Sequence, residues 1–411
     1  MSGSRSPVPV GGPIVTPSVL AMFSLAALAA VLIVVRAVWG LGATTAMNDG
    51  YPWGLWIAFD VVTGTAIGCG GYAIALLVYI LNKGRYHPLV RPAVLTSALG
   101  YSIAGFSVLL DLGRPWLTWK IPVQVWHWNG DSVLLEVALC IMAYSVVLWI
   151  ELSPAMLERA AASDWPRLKR VAERALPVVK SSLLWITALG MLLPTMHQSS
   201  LGALLMLSGP RLDPLWNTPL LPLLFLISCV LMGFGAVVLE GSLSAKFLGR
   251  RAETDMLAGL GRAMLVVLAL YLGIRVADLV VRGQAPALLA LDVNATMWLL
   301  EMLMFVVAGL LLSSDARRRD AGNLLRAALV LLLAGAMYRF DVFLLAFQPG
   351  AHWSYFPSVI EILITVGLVA GEVGVYIVFV RMFPILAGTK SSRPVAATAA
   401  SAPSRAARGL S

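Results

Sequence analysis

Ten ionisable residues lie inside stretches that are otherwise apolar: Asp60, Glu136, Glu240, Arg275, Asp278, Glu301, Arg339, Asp341, Glu361 and Glu372. Carboxylates and imidazoles act as general acids and bases, relay protons, and hydrogen-bond the carbonyls of a reducible ligand. Four histidines are present, His87, His127, His197 and His352. A b-type haem between helices takes two facing axial histidines, and all four fall at span ends or in loops. A buried low-spin haem is therefore not expected, which leaves a haem at the surface open. Cys69, Cys140 and Cys229 are far apart and form no CxxC. A disulfide framework, a thiolate-held metal and an iron–sulfur cluster in this chain are not expected.

The elements that carry these groups must cross a membrane. The chain has 411 residues, 59% hydrophobic and 12% charged, a multi-spanning composition. A span needs about 20 apolar residues. Ten segments qualify, approximately 15–38, 55–82, 92–111, 132–152, 177–196, 219–242, 260–281, 296–314, 323–346 and 358–384. The fold expected is all-α and integral to the membrane. The first segment is too long for a signal-peptide core of about 7–15 residues and reads as a retained span. Residues 1–14 and 388–411 read as cytoplasmic tails, the second disordered because it is rich in Ser, Ala and Arg. Residues 15–387 form the membrane domain. The basic loop 153–176 reads as an amphipathic helix on the inner surface, with a topogenic linker as its plainer meaning.

With the N-terminus inside, cytoplasmic segments hold 23 of the 30 Lys and Arg. Arg36, Arg114, Lys120, Arg211 and Arg282 fall outside, and Arg275 and Arg339 lie within helices. This positive-inside pattern places both termini in the cytoplasm, and the net charge of +9 does not point to nucleic acid.

Span 4 aligns weakly with span 8, superposing Glu136 on Glu301, and span 3 with span 7, superposing Asp111 on Asp278. Two parallel four-helix bundles follow, spans 2–5 and spans 6–9, with spans 1 and 10 flanking. A charge at a helix centre costs about 2.5–3.5 kcal/mol, so the ten must be neutral, paired or close to water. Arg275 and Asp278 share a helix face, and Arg339 is within reach of Glu301 or Glu372 across a bundle. Structural ion pairs and a proton relay both remain open for these groups.

On this topology Asp60 lies one to two turns below the outer surface, with Glu136 at similar depth. His127, Asn129 and Asp131 precede Glu136, and span 5 delivers His197, Gln198, Ser199 and Ser200 to the same side. Trp53, Trp116, Trp119, Trp126 and Trp128 rim the region, as an interfacial belt or as walls for a flat ligand. A quinone fits such a pocket. A secondary transporter fits the buried charges and the repeat equally well.

Three strings separate these classes. Residues 50–116, from "GYPWGLWIAFD" to "LLDLGRPW", resemble the integral membrane subunits of the polysulphide-reductase and formate-dependent nitrite-reductase family. "LLPTMHQSSLGALL" (192–205) and "YFPSVIEILITVGLVAGEVGVYIVFVRMFPIL" (355–386) look like the hydrogenase-2 type within it. The resemblance implies a haem-free, quinone-reactive anchor of a respiratory nickel–iron hydrogenase in the bacterial inner membrane. It implies a periplasmic iron–sulfur subunit and the hydrogenase large and small subunits as partners, and menaquinone or ubiquinone as substrate. A polysulphide or nitrite reductase system is the alternative complex. Similarity places the quinone near the outer surface of the first bundle, where Trp53, Asp60, His127, Glu136, His197 and Gln198 lie. It gives Glu240, Arg275, Asp278, Glu301, Arg339 and Glu372 to proton movement.

Overall fold

The computed structural model describes residues 7–249 and 253–387. The tail at 388–411 lies outside the described residues. Ten helices are long and apolar enough to cross a membrane. They are α1 (Pro17–Trp39), α2 (Trp56–Ile80), α3 (Gly84–Asp111), α4 (Val133–Ala161), α5 (Pro166–Met206), α6 (Leu221–Phe247), α7 (Thr254–Val281), α8 (Val293–Leu312), α9 (Ala321–Leu345) and α10 (Val359–Met382). The protein is an all-α, multi-pass integral membrane protein. Connections 40–55, 112–132, 207–220, 282–292 and 346–358 fall on one side, the long-loop face. The short, Arg- and Lys-rich connections fall on the other, the basic face.

The expected surface helix over 153–176 is corrected. The helix of α4 continues through Pro154 to Ala161, and α5 starts at Pro166 and runs 41 residues. Proline in the first turn has no amide hydrogen bond to lose, and the helix runs on through Pro177 and Pro194. The basic segment is thus divided between two helix ends. Glu158 on α4 pairs with Lys180 on α5 at 3.3 Å and with Arg91 on α3 at 2.8 Å.

Within the first half α4 packs along α5, and α3 packs on α2 and α4. Within the second, α9 packs on α6 and α8, and α7 on α6 and α8. The halves meet where α6 lies against α2 and α5. Glycine makes that crossing close: a Cβ on Gly233 would stand 2.6 Å from the Cys69 carbonyl oxygen. Small residues let membrane helices approach where apolar burial gives little drive.

The α10 helix packs on α1 through Gly367, Gly371 and Gly374. A Cβ on Gly367 would meet Ala29 Cβ at 2.4 Å, and one on Gly371 would meet Ala26 Cβ at 3.2 Å. Ser358 and Glu361 form a capping box at its start, satisfying amides that lipid would leave unpaired.

Two spans contain π-helical turns. They are Trp56–Thr63 and Leu76–Ile80 in α2, and Asp341–Leu345 in α9. Such turns recur at functional sites. The first and last face each other across the two halves, with the Phe59 and Phe340 rings 5.9 Å apart.

Candidate functional site

Asp60 lies in the first π-turn of α2 and is 3% exposed. Its Oδ2 accepts from Ser107 Oγ on α3 at 3.1 Å and from Thr365 Oγ1 on α10 at 3.2 Å. Its Oδ1 has no hydrogen-bond partner among the described residues. The carboxylate is thus held at one oxygen and buried without a hydrogen-bond partner at the other.

Five residues further along α2, about 7 Å deeper, Thr65 gathers a second group. Gln198 Nε2 donates to Thr65 Oγ1 at 3.0 Å, and His197 Nε2 lies 3.3 Å from the same oxygen. Both side chains are fully buried on α5. The Tyr101 ring stands 5.7 Å from the imidazole and 4.5 Å from the Tyr144 ring. His197 Nδ1 and Gln198 Oε1 have no hydrogen-bond partner among the described residues. The structure brings His197 and Gln198 together and sets them below Asp60 rather than at its level.

The remaining residues expected at this pocket are dispersed. Trp53 Nε1 donates to the Phe343 carbonyl at 3.0 Å, and its ring lies 4.8 Å from that of Phe347. It ties the long-loop face to α9. Glu136 is half-buried in the first turn of α4. His127 is exposed in the 112–132 loop beside the Trp126 ring at 5.8 Å. In that loop Trp116, Trp119, Trp126 and Trp128 all stand exposed.

The charged groups of the second half pair differently from the sequence expectation. Arg275 lies 3.6 Å from Glu301 across α7 and α8, with both side chains almost wholly buried. Glu301 also accepts from Trp216 Nε1 at 3.3 Å. Asp278 is not the partner of Arg275. It accepts from Thr218 Oγ1 at 2.7 Å and pairs with Arg282 at 2.9 Å, while Arg282 donates to the Pro214 and Asn217 carbonyls. Helix spacing alone favoured Arg275–Asp278, but in a bundle the facing helix supplies the closer carboxylate.

Arg339 meets neither Glu301 nor Glu372. Its guanidinium donates to the Val62 carbonyl at 3.0 Å, to the Phe225 carbonyl at 3.0 Å and to Ser228 Oγ at 3.2 Å. It joins α9 to α2 and α6.

Glu240 accepts from Tyr376 O–H at 2.5 Å and Thr96 Oγ1 at 3.1 Å. Glu372, half-buried on α10, lies beside Gly100, where a Cβ would meet its Oε1 at 3.5 Å.

Outside the spans, burial raises the Tyr355 phenol, and the neighbouring Glu361 carboxylate raises it further. Tyr355 therefore stays protonated and donates to Glu361 at 2.6 Å. The sequence reading missed the hydroxyls that position the site, Thr65, Ser107, Thr365 and Tyr376. Among the described residues no three His, Cys, Asp or Glu gather as a metal site.

Comparison with known proteins gives three findings. The family model "Polysulphide reductase, NrfD" matches residues 43–348. The chain is 39% identical over 395 residues to the "Probable Ni/Fe-hydrogenase 2 b-type cytochrome subunit" of Escherichia coli (strain K12), covering 95% of this chain and 97% of that one. It is 31% identical over 244 residues to the "Menaquinone reductase, integral membrane subunit" of Nitratidesulfovibrio vulgaris (strain Hildenborough), covering 58% of this chain and 56% of that one.

The first relative's name overturns one expectation. A b-type cytochrome subunit is named for haem, so the sequence expectation of a haem-free chain is withdrawn. The residues described do not form a facing histidine pair between helices. His87, His127 and His352 are exposed, and His197 alone of the four is buried. The span of the family match, and a relative 39% identical along almost its whole length, settle the classification: the chain belongs to the polysulphide reductase NrfD family of integral membrane proteins.

Proposed function

We propose that this chain is the quinone-reactive membrane subunit of a respiratory nickel–iron hydrogenase in the bacterial inner membrane. In this reading both termini are cytoplasmic, as the charge pattern favours, and the long-loop face is periplasmic. An iron–sulfur subunit docks there and passes electrons, taken from hydrogen by the hydrogenase large and small subunits, to menaquinone or ubiquinone. The names of the two relatives support the complex and the substrate.

The observation that carries the reading is Asp60. It is a buried carboxylate with one oxygen held by two hydroxyls and the other unclaimed, below the face where a donor would dock. Thr65, His197 and Gln198 supply further polar atoms at the next depth in the same bundle. Quinone reduction needs hydrogen bonds to the carbonyls and two protons, and these groups offer both. Trp53, His127 and Glu136 lie around the same end of the bundle and are its outer candidates. Arg275, Asp278, Glu301 and Arg339 remain candidates for proton movement in the second bundle.

The test uses the purified complex. Hydrogen should reduce a soluble menaquinone analogue, and a fluorescent quinol-analogue inhibitor should bind saturably. Binding should weaken in His197→Ala and Gln198→Ala. A folded complex that reduces viologen dye with hydrogen, yet neither reduces the quinone nor binds the inhibitor, overturns the reading.

A second reading has its own observation. The similarity to a menaquinone reductase membrane subunit favours an anchor for a different periplasmic oxidoreductase acting on the same quinone pool. Isolating the chain with its partners from native membranes separates the two. A secondary transporter would bind no quinol analogue.

A further inference from the structure

Two recesses follow each other along α4. The first, of ≈ 310 Å³, lies at the basic face where α4 gives way to α5. Met156, Arg159, Ser163, Asp164 and Leu168 line it, with Phe383 just past α10. The second, of ≈ 790 Å³, is a mainly apolar groove between α3 and α4. Ser102, Gly105 and Leu109 wall one side, and Val146, Trp149 and Ile150 the other. Val146 and Ile150 are exposed, so the groove opens toward lipid. One face of α4 serves both recesses. Met142, Ser145, Trp149 and Ser153 belong to the groove, and Met156 and Ala160 to the recess at the basic face. At about 100° per residue these six lie within roughly 80° of each other. A row of rings joins the two: Trp149 stands 5.9 Å from Phe379, and Phe379 stands 5.1 Å from Phe383.

Depth separates their chemistry. The α4 helix starts at Val133 on the long-loop face, and about 20 residues carry a helix through the hydrocarbon, so the basic-side edge falls near Ser153. From there the groove follows α4 to Ile141, about 18 Å at 1.5 Å per residue, inside the hydrocarbon. Its polar atoms are already engaged. Trp149 Nε1 donates to Ser102 Oγ at 2.9 Å, Ser145 Oγ to the Ile141 carbonyl at 2.8 Å, and Ser153 Oγ to the Ile150 carbonyl at 2.7 Å. The recess above lies at headgroup depth and presents one cation, one anion and one hydroxyl. Neither Arg159 nor Asp164 enters an ion pair among the described residues. Ser163 Oγ accepts from the Trp165 amide at 3.3 Å, which leaves its own proton to donate.

We propose that the two recesses together bind one phospholipid whose headgroup joins a phosphate to a primary amine, as in phosphatidylethanolamine. Arg159 takes the phosphate, because a guanidinium offers a fork of donors to phosphate oxygens, and Ser163 adds a hydroxyl donor. Asp164 takes the ammonium. An acyl chain descends the groove past Trp149. Charge complementarity selects this occupant. A purely anionic headgroup satisfies Arg159 but meets Asp164 as a like charge, and a neutral apolar molecule leaves both charges unused. Basic pockets between membrane helices are known headgroup sites, and here the added carboxylate narrows the choice. The bound lipid bridges the end of α4 to Phe383 at the end of α10. The site does not depend on the quinone reading.

The experiment titrates the full chain, stripped of lipid in detergent, with phosphatidylethanolamine, phosphatidylglycerol or phosphatidylcholine of identical acyl chains. Native mass spectrometry counts the lipids bound. One phosphatidylethanolamine should saturate first, ahead of the other two. Arg159→Gln and Asp164→Asn should each weaken it about tenfold, the loss of one charge-assisted contact. Asp164→Asn should also erase the preference over phosphatidylglycerol. No heavy atom stands closer than 3.6 Å to a Cβ placed on Gly105, so Gly105→Leu fills the groove and should weaken all three lipids alike. Val146→Trp fills it from the facing wall and decides if Gly105→Leu fails to fold. Phosphatidylglycerol binding as tightly as phosphatidylethanolamine overturns the proposal. So does a preference that survives Asp164→Asn, or binding unchanged in Arg159→Gln. Graded binding with no first site that saturates shows a bulk lipid annulus only and overturns it too. Full binding in a folded groove-filling variant overturns the joining of the two recesses into one site.

Discussion

Arg339 Nη1 on α9 donates to the carbonyl of Val62 in the first π-turn of α2 at 3.0 Å. Trp53, just ahead of that turn, donates back to Phe343 in the π-turn of α9 at 3.0 Å. A carbonyl oxygen has two lone pairs, so each accepts the side chain without giving up its helix. The two halves of the protein are cross-tied by a buried cation on one side and an indole on the other.

Replacing Arg339 with Lys keeps the charge but not the fork that reaches three acceptors on two helices. Hydrogen bonds to charged groups contribute about 1.5–3 kcal/mol each. Losing the equivalent of one or two should lower stability by about 2–5 kcal/mol. Thermal unfolding of the chain in detergent reads this directly. An unchanged midpoint would show that the cross-tie does not hold the halves together.

The Arg275–Glu301 pair makes a different prediction. Glu301→Gln leaves a buried guanidinium uncompensated and should cost about 3–5 kcal/mol. Replacing both, as Arg275→Met with Glu301→Leu, should recover most of that loss. Unfolding midpoints of the three variants give the comparison. If quinone turnover also recovers in the double variant, the pair is structural and leaves the list of proton carriers.

Asp60→Asn keeps the size and the hydroxyl contacts of the side chain but removes its ability to exchange a proton. Quinol formation should fall by about 10²-fold, while the complex assembles and viologen reduction persists. Normal quinone turnover in Asp60→Asn would remove this residue from the site.

Gly367→Leu tests what aligns α10. Even a methyl there would stand 2.4 Å from Ala29, and a leucine must force α1 away. The overpacking should cost about 1–3 kcal/mol and expose α1 to protease in detergent. Gly371→Ala, where the nearest atom is a side-chain carbon at 3.2 Å, should be milder.

Much of this was legible in the sequence. Hydropathy gave ten spans, and Asp60 stood out because a carboxylate in lipid demands partners. The partners themselves were invisible: Thr65, Ser107 and Thr365 barely disturb hydropathy, and their role depends on which helices meet. The ion pairs were misjudged for the same reason, since spacing along α7 proposed Asp278 while α8 supplied Glu301. The 153–176 segment looked separate because its polarity changes sharply, yet helix propagation ignores polarity at a membrane surface. The absence of haem was read from histidine positions and from the family resemblance, and a relative's name overturned it.

The long-loop face is stitched from segments far apart in the chain. Asp213 N donates to the Ala346 carbonyl, Gln348 N to the Arg211 carbonyl, and Tyr51 O–H to the Phe347 carbonyl. Asn48 reaches the Ser354 carbonyl. During synthesis these partners emerge at very different times, so the surface stays unfinished until the ninth span has been threaded through. A docking partner that needs the stitched face meets it only on a nearly complete chain. If the proposed partner docks on this face, geometry alone withholds it from truncated products.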